Sequence, residues 1–190
     1  MKGEVDRLRS QGKEHSKALR RAMLPLAEAY IMKWTGKDSP IAIAEGEDVA
    51  KALLRTFERI KNLDVSDQLS HVRSMITLAR VYWYRGEQDL ARAALKKSLD
   101  LTKKYPTFSE ESYYTGFIYM FLSAVEFRLQ LFEEGNISLT LANEILRTQM
   151  PQHFMPGLGS YFLSQLLGAS NPPKWPWSPI TQLHLSSISP

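Results

Sequence analysis

Apolar residues recur along this chain at spacings of three and four, the period of an amphipathic helix, in blocks separated by turn residues. Residues 4–24 carry that period on a polar, charged background, which predicts an exposed helix ended by Pro25, since proline lacks the donor and clashes with the preceding turn. Proline is well tolerated at a first helical position. Leu26, Ala27, Tyr30, Ile31 and Trp34 then share one face of a second helix that stops in Gly36-Lys37-Asp38-Ser39-Pro40. A third helix is expected from about Gly46 to Asn62, with Val49, Ala50, Leu53, Leu54, Phe57 and Ile60. Asp64 and Ser66 are capping residues for the next, which carries Leu69, Val72, Met75, Ile76, Ala79, Tyr82 and Trp83 and stops at Gly86. Another starts at Glu87 and holds Leu90, Ala91, Ala94, Leu95, Ser98 and Leu101. Pro106 and Ser109 mark a turn and a new cap. The helix that follows, to about Phe132, is aromatic nearly all round; Gly135 closes it, and a further helix runs from Asn136 to Thr148. Beyond Pro151, Pro156 and Gly157 a short apolar helix is expected over 158–167. From Gly168 the chain is rich in Pro and Ser and has no helical period.

Within the helical blocks a six-residue pattern occurs three times: apolar, Ala, two free positions, apolar or small, Leu. Its copies are Val49-Ala50-Lys51-Ala52-Leu53-Leu54, Leu90-Ala91-Arg92-Ala93-Ala94-Leu95 and Leu141-Ala142-Asn143-Glu144-Ile145-Leu146. Each lies in a helical stretch that follows an aromatic-rich one. Repeated helical hairpins look like this, the small Ala letting two helices approach closely. The fold class is therefore all-α: an irregular stack of helical hairpins, about seven helices, with a Pro/Trp-rich C-terminal tail. Its expected organisation is a charged N-terminal helix over 1–24, one helical-repeat domain over 25–168 and an extended tail over 169–190.

The middle hairpin, about 69–104, resembles a tetratricopeptide (TPR) unit. Leu78, Ala79 and Tyr82 on its first helix, Gly86 at the turn, and Ala91 and Leu95 on its second match that family's spacing. Met75 stands where the family prefers Trp, and Pro106 falls three residues later than its closing proline. The other two hairpins match only at their second helices, with the repeated Ala at positions 50, 91 and 142 rather than at the family's regular interval. The resemblance implies a groove that receives a peptide or protein, lined by the first helices of the hairpins. By helical phase Arg73, Arg80, Tyr84, Glu126 and Gln130 are the candidate partner-binding residues.

Composition narrows the chemistry. The chain has 190 residues and no Cys, which excludes a disulfide framework, a thiolate zinc site and a thiol nucleophile. Its net charge is +4, concentrated near the start, where Lys2, Arg7, Arg9, Lys13, Lys17, Arg20 and Arg21 outweigh Glu4, Asp6 and Glu14. With acids interspersed, that run is read as a solvated helix face rather than a nucleic-acid site. The most apolar run, Tyr113 to Val125, is shorter than the ~18–20 residues of a membrane span and leads into Glu126 and Arg128. It is read as a helix buried in protein. No apolar signal core opens the chain, which points to an intracellular protein in cytoplasm or nucleus.

Candidate chemistry is sparse. His15, His71, His153 and His184 are scattered, and none has metal-ligand spacing. His71 opens a helix and is expected to be exposed or to cap it. Gly157-Leu158-Gly159-Ser160 lacks the preceding strand, the third glycine and the following Lys of a phosphate-binding turn. Neither catalytic residues nor a cofactor or metal site is assigned. Tyr113, Tyr114, Phe117, Tyr119, Phe121 and Phe127 form an aromatic cluster with two readings, an inner core helix or the lining of a ligand pocket. In the tail, Pro172, Pro173, Pro176 and Pro179 bracket Trp175 and Trp177, and one or the other is expected to lie against the last two helices, around Leu163, Leu166 and Leu167. Function is accordingly expected to be that of a non-enzymatic protein- or peptide-binding adaptor or scaffold. The alternative is the effector-binding or regulatory domain of a larger transcriptional regulator, with the aromatic helix forming a small-molecule pocket.

Overall fold

The structure is a computed structural model that describes residues 2–11, 16–32, 39–108 and 112–149. Seven α-helices, and no strand, occur among these residues: α1 (Lys2–Ser10), α2 (Lys17–Met32), α3 (Ser39–Glu58), α4 (Val65–Tyr84), α5 (Gln88–Lys104), α6 (Tyr113–Arg128) and α7 (Phe132–Gln149). The all-α fold expected from the apolar period is the fold found. The expected helix over 158–167 and the tail, with Trp175 and Trp177, lie outside the described residues, as does Ser109.

The helices pack in series. Each of α2/α3, α4/α5 and α6/α7 pairs within itself; α3 then packs on α4 and α5 on α6, while α2 also touches α4 and α1 lies on α2. Packing follows the small residues. Ala50, Ala91 and Ala142 are all buried, each at most 1% exposed. A Cβ on Gly46 would stand 3.2 Å from Ile31 Cγ1 and 3.4 Å from the Ala27 carbonyl, so α2 and α3 cross there. On Gly116 it would meet Leu146 Cγ at 2.8 Å, which brings α6 and α7 together. The largest apolar cluster spans α3 to α6 around Val72, Ala79, Leu95, Phe121 and Val125. A second, with Val5, Leu8, Met23, Leu53 and Phe57, seats α1 on the first hairpin.

Several boundaries differ from the sequence reading. Pro25 does not end a helix: α2 runs through it to Met32. Pro25 and Arg21 are both exposed, so the Arg21 carbonyl that loses its helical partner faces water. Burial of Met23, Leu24, Leu26 and Ala27 on the opposite flank holds the helix together past the proline. The charged stretch 1–24 is accordingly not one helix but α1 and the first half of α2. α3 starts at Ser39, well before Gly46, with Pro40 in a first turn where its missing donor is not needed. Ser112 rather than Ser109 caps α6, accepting from the Thr115 amide at 3.3 Å. Gly135 lies inside α7 and does not close α6.

The two C-terminal hairpins turn alike. Gly86 has φ +75°; its N–H donates to the Trp83 carbonyl at 3.1 Å and that of Glu87 to Tyr82 at 2.9 Å. Gln130 has φ +62°, with its N–H on Phe127 at 3.0 Å and that of Leu131 on Glu126 at 2.9 Å. Both are the glycine-type helix stop that satisfies orphan carbonyls through a left-handed residue. Counted from these residues, Ala91 is matched by Gly135, five positions on, and Ala142 by Ser98, twelve on. The third copy of the Ala pattern is thus two helical turns out of step with the second.

Candidate interaction face

Ion pairs stitch the first helix of one hairpin to that of the next. Lys17 pairs with Asp64, whose carboxylate also caps α4 by accepting from the Asp67 amide at 2.9 Å. These two contacts hold the Asp64 carboxyl below its ordinary range, the Lys17 bond first. Arg20 donates to both Asp67 oxygens, from Nε at 3.0 Å and Nη2 at 2.6 Å, and both side chains are buried. Arg73 Nη2 donates to both oxygens of Glu28 at 2.8 Å. Tyr114 of α6 lies within the field of this last pair. Burial pushes its hydroxyl up, Arg73 pulls it down and Glu28 raises it. Glu28, Arg73 and Tyr114, from α2, α4 and α6, therefore lie within one another's field.

At the C-terminal end of α4 the side chains are aromatic. Trp83 meets the edge of Phe121 with centroids 5.7 Å apart, and the Arg128 guanidinium sits 5.0 Å from the Trp83 ring. Tyr84 is half-buried against Ile31, Ile43 and Val81. The candidate residues divide accordingly. Arg73 and Tyr84 stand half-buried on α4, and Gln130 is exposed at the α6–α7 turn. Arg80 is buried at 5% exposure, and Glu126 at 2%. Helical phase placed those two on an open face; the structure places both in the interior.

Glu126 instead joins three helices. It accepts from Arg92 Nε of α5 at 3.0 Å and from Ser138 Oγ of α7 at 2.7 Å. A carboxylate taken out of water needs such partners. It is the one charge inside an aromatic and aliphatic run buried nearly all round, and that context was the available signal for its burial.

His71 is likewise interior. It lies in the second turn of α4, stacks on Phe57 with centroids 5.0 Å apart and shares a 2.6 Å hydrogen bond between Nδ1 and the Tyr105 hydroxyl. Desolvation, with lesser contributions from Lys104 and Lys97, lowers its pKa to about 4. Its phase with Met75, Leu78 and Tyr82 marks it as a core position; the expectation of an exposed or capping His71 missed this. Arg20, Glu28 and Asp67 gave no local signal, because their partners lie 45 to 47 positions away in the chain.

Most of the aromatic cluster is packing: Tyr113 lies against Phe117 at 4.3 Å, and Phe121 against Trp83. Tyr119 alone of that cluster lines an open cleft of about 650 Å³ between α5 and α7. No group of three or more His, Cys, Asp or Glu able to hold a metal ion occurs among the described residues, and none of the helices there is long and apolar enough to cross a membrane. No protein-family model matches the chain, and no curated protein or solved structure does.

Proposed function

We propose that this chain is a non-enzymatic, TPR-like interaction module, an adaptor or scaffold that receives a protein or peptide on the face of α2, α4 and α6. The observation that carries this reading is the serial packing of three helical hairpins, with Arg73 and Tyr84 half-buried on α4 and Arg128 and Gln130 exposed at the end of α6 and the turn after it. Arginine and aromatic side chains are enriched at protein interfaces. A groove-bound segment would meet the exposed Arg128 and the half-buried Tyr84 ring, so an extended peptide with acidic and apolar positions is the partner chemistry that fits.

The small-molecule alternative has less support. An effector pocket built by the aromatic helix would need its rings to face a cavity, and most of them face neighbouring helices. The deciding experiment is capture with the whole chain as bait, followed by cross-linking to map the bound segment. The adaptor reading expects cross-links from one extended segment to α4 and α6, lost in the Tyr84→Ser/Arg128→Ser variant. A co-purified small molecule with no protein partner would favour the regulatory domain.

A further inference from the structure

The cleft between α5 and α7 has an origin legible in the repeat. Gly86 and Gln130 are 44 positions apart and close equivalent turns, so residues of α4 and α5 map onto α6 and α7 at that offset. His71 maps onto Thr115, and Tyr105 onto Gln149. In the first junction His71 carries Phe57 on its face and Tyr105 on its Nδ1, and the three rings fill the space above α4. In the second junction a threonine stands where the imidazole was. What remains is the cleft, floored by Thr115 and Tyr119 and walled by Leu99, Leu141 and Ile145. Arg92, Glu126 and Ser138 tie the same three helices together. At its rim stand Lys103, Arg147 and Glu144.

We propose that this cleft seats the chain's own segment 171–179, with Trp175 and Trp177 supplying the aromatic filling that the second junction lacks. Three observations meet here. The chain leaves α7 at Gln149, one position beyond the cleft-lining Thr148. The 22 positions from Gln149 to Asn171 span up to about 70 Å when extended, whereas the lining stretch of α7 from Leu141 to Thr148 is only about 10 Å long. Tethering therefore holds the segment at an effective concentration on the order of millimolar. The chemistries also match. Indole faces attract the cationic ends of Lys103 and Arg147, Lys174 just before Trp175 complements Glu144, and proline-rich sequence suits an aromatic-lined groove. The seat is distinct from the face of α2, α4 and α6, so it stands or falls separately from the proposed adaptor role.

The absence of Cys from the chain makes the test direct. The full-length Leu141→Cys/Ser178→Cys variant is oxidised mildly beside Asn143→Cys/Ser178→Cys, whose cysteine lies only about 3 Å further along α7 but about 200° round the helix. The expected result is an intrachain disulfide in at least tenfold higher yield for the first pair. Lys103→Cys/Ser178→Cys, altered at an exposed rim position, serves as a second probe should Leu141→Cys unfold, and is expected to cross-link equally well. Equal yields for groove and control pairs, or disulfides only between chains, would overturn the proposal. So would a small molecule recovered from the cleft with Trp175 and Trp177 quenched by acrylamide at the rate of a free peptide.

Discussion

His71 makes the stability of this fold acid-sensitive at a pH where its ion pairs remain intact. The imidazole is neutral in the folded chain, with its pKa lowered to about 4 from the usual 6.5. Burial disfavours the imidazolium most, and the nearby ammonium groups of Lys104 and Lys97 repel it further. The Tyr105 bond does not offset this, because a hydroxyl can accept from a protonated Nδ1 as readily as it donates to a neutral one. The unfolded chain therefore binds the proton more tightly than the folded one, and stability falls as pH drops from 6.5 towards 4. With these two pKa values the loss at pH 5 relative to pH 8 is about 2 kcal/mol, and solvent screening at the ring edge trims it to between about 1 and 2 kcal/mol. Urea denaturation of wild type and His71→Phe at pH 8 and pH 5 measures it. The variant loses the Tyr105 bond and is less stable at both, but its difference between the two pH values should be smaller than the wild type's by that amount. Equal pH dependence in the two proteins would refute the assignment of the acid sensitivity to this ring.

Three further outcomes are expected. Glu126→Ala leaves Arg92 and Ser138 without their acceptor and opens a cavity among α5, α6 and α7; it should cost about 3–5 kcal/mol, with strong coupling to Arg92→Ala in a double-mutant cycle. A loss under about 1 kcal/mol would mean the clasp carries no weight. Gln130→Gly relieves a left-handed backbone and should raise stability by about 0.5–1 kcal/mol, while Gly86→Ala, with open space around the new Cβ, should lower it by about 1 kcal/mol through backbone strain alone. Ala91→Leu overpacks the crossing of α4 and α5 and should cost about 1–3 kcal/mol; an unchanged denaturant midpoint would remove the close approach at Ala91.

Helical period carried most of the fold. It located α4 and α5 almost to the residue, because their caps are spelled locally by Asp64 and Gly86. It failed where a local rule was overridden by packing. Pro25 is a breaker only if the flanking turns have nothing else to hold them, and the buried flank of α2 supplies that hold. Gln130 occupies a conformation usually left to glycine, so the end of α6 has no local signature, whereas Gly135, the nearest glycine, lies inside α7. The candidate face was less legible than the helices. Phase alone cannot tell an exposed arginine from a buried one, which is why Arg80 and Glu126 were grouped with Arg73. Ion pairs such as Arg20–Asp67 depend on two helices meeting, information that no window of sequence contains.

Because each hairpin touches mainly its immediate neighbours, the molecule behaves as a row rather than a ball. Energy is distributed along the row as terms for units and for junctions, and the junctions are chemically unlike: ionic between the first two hairpins, aromatic and buried-carboxylate between the last two. Added salt screens the ion pairs of the first junction, and dropping pH charges His71, which stacks on Phe57 at that same junction. Both therefore pull at the first seam, so hydrogen exchange should be graded along the chain, with the first junction opening ahead of the last under either change.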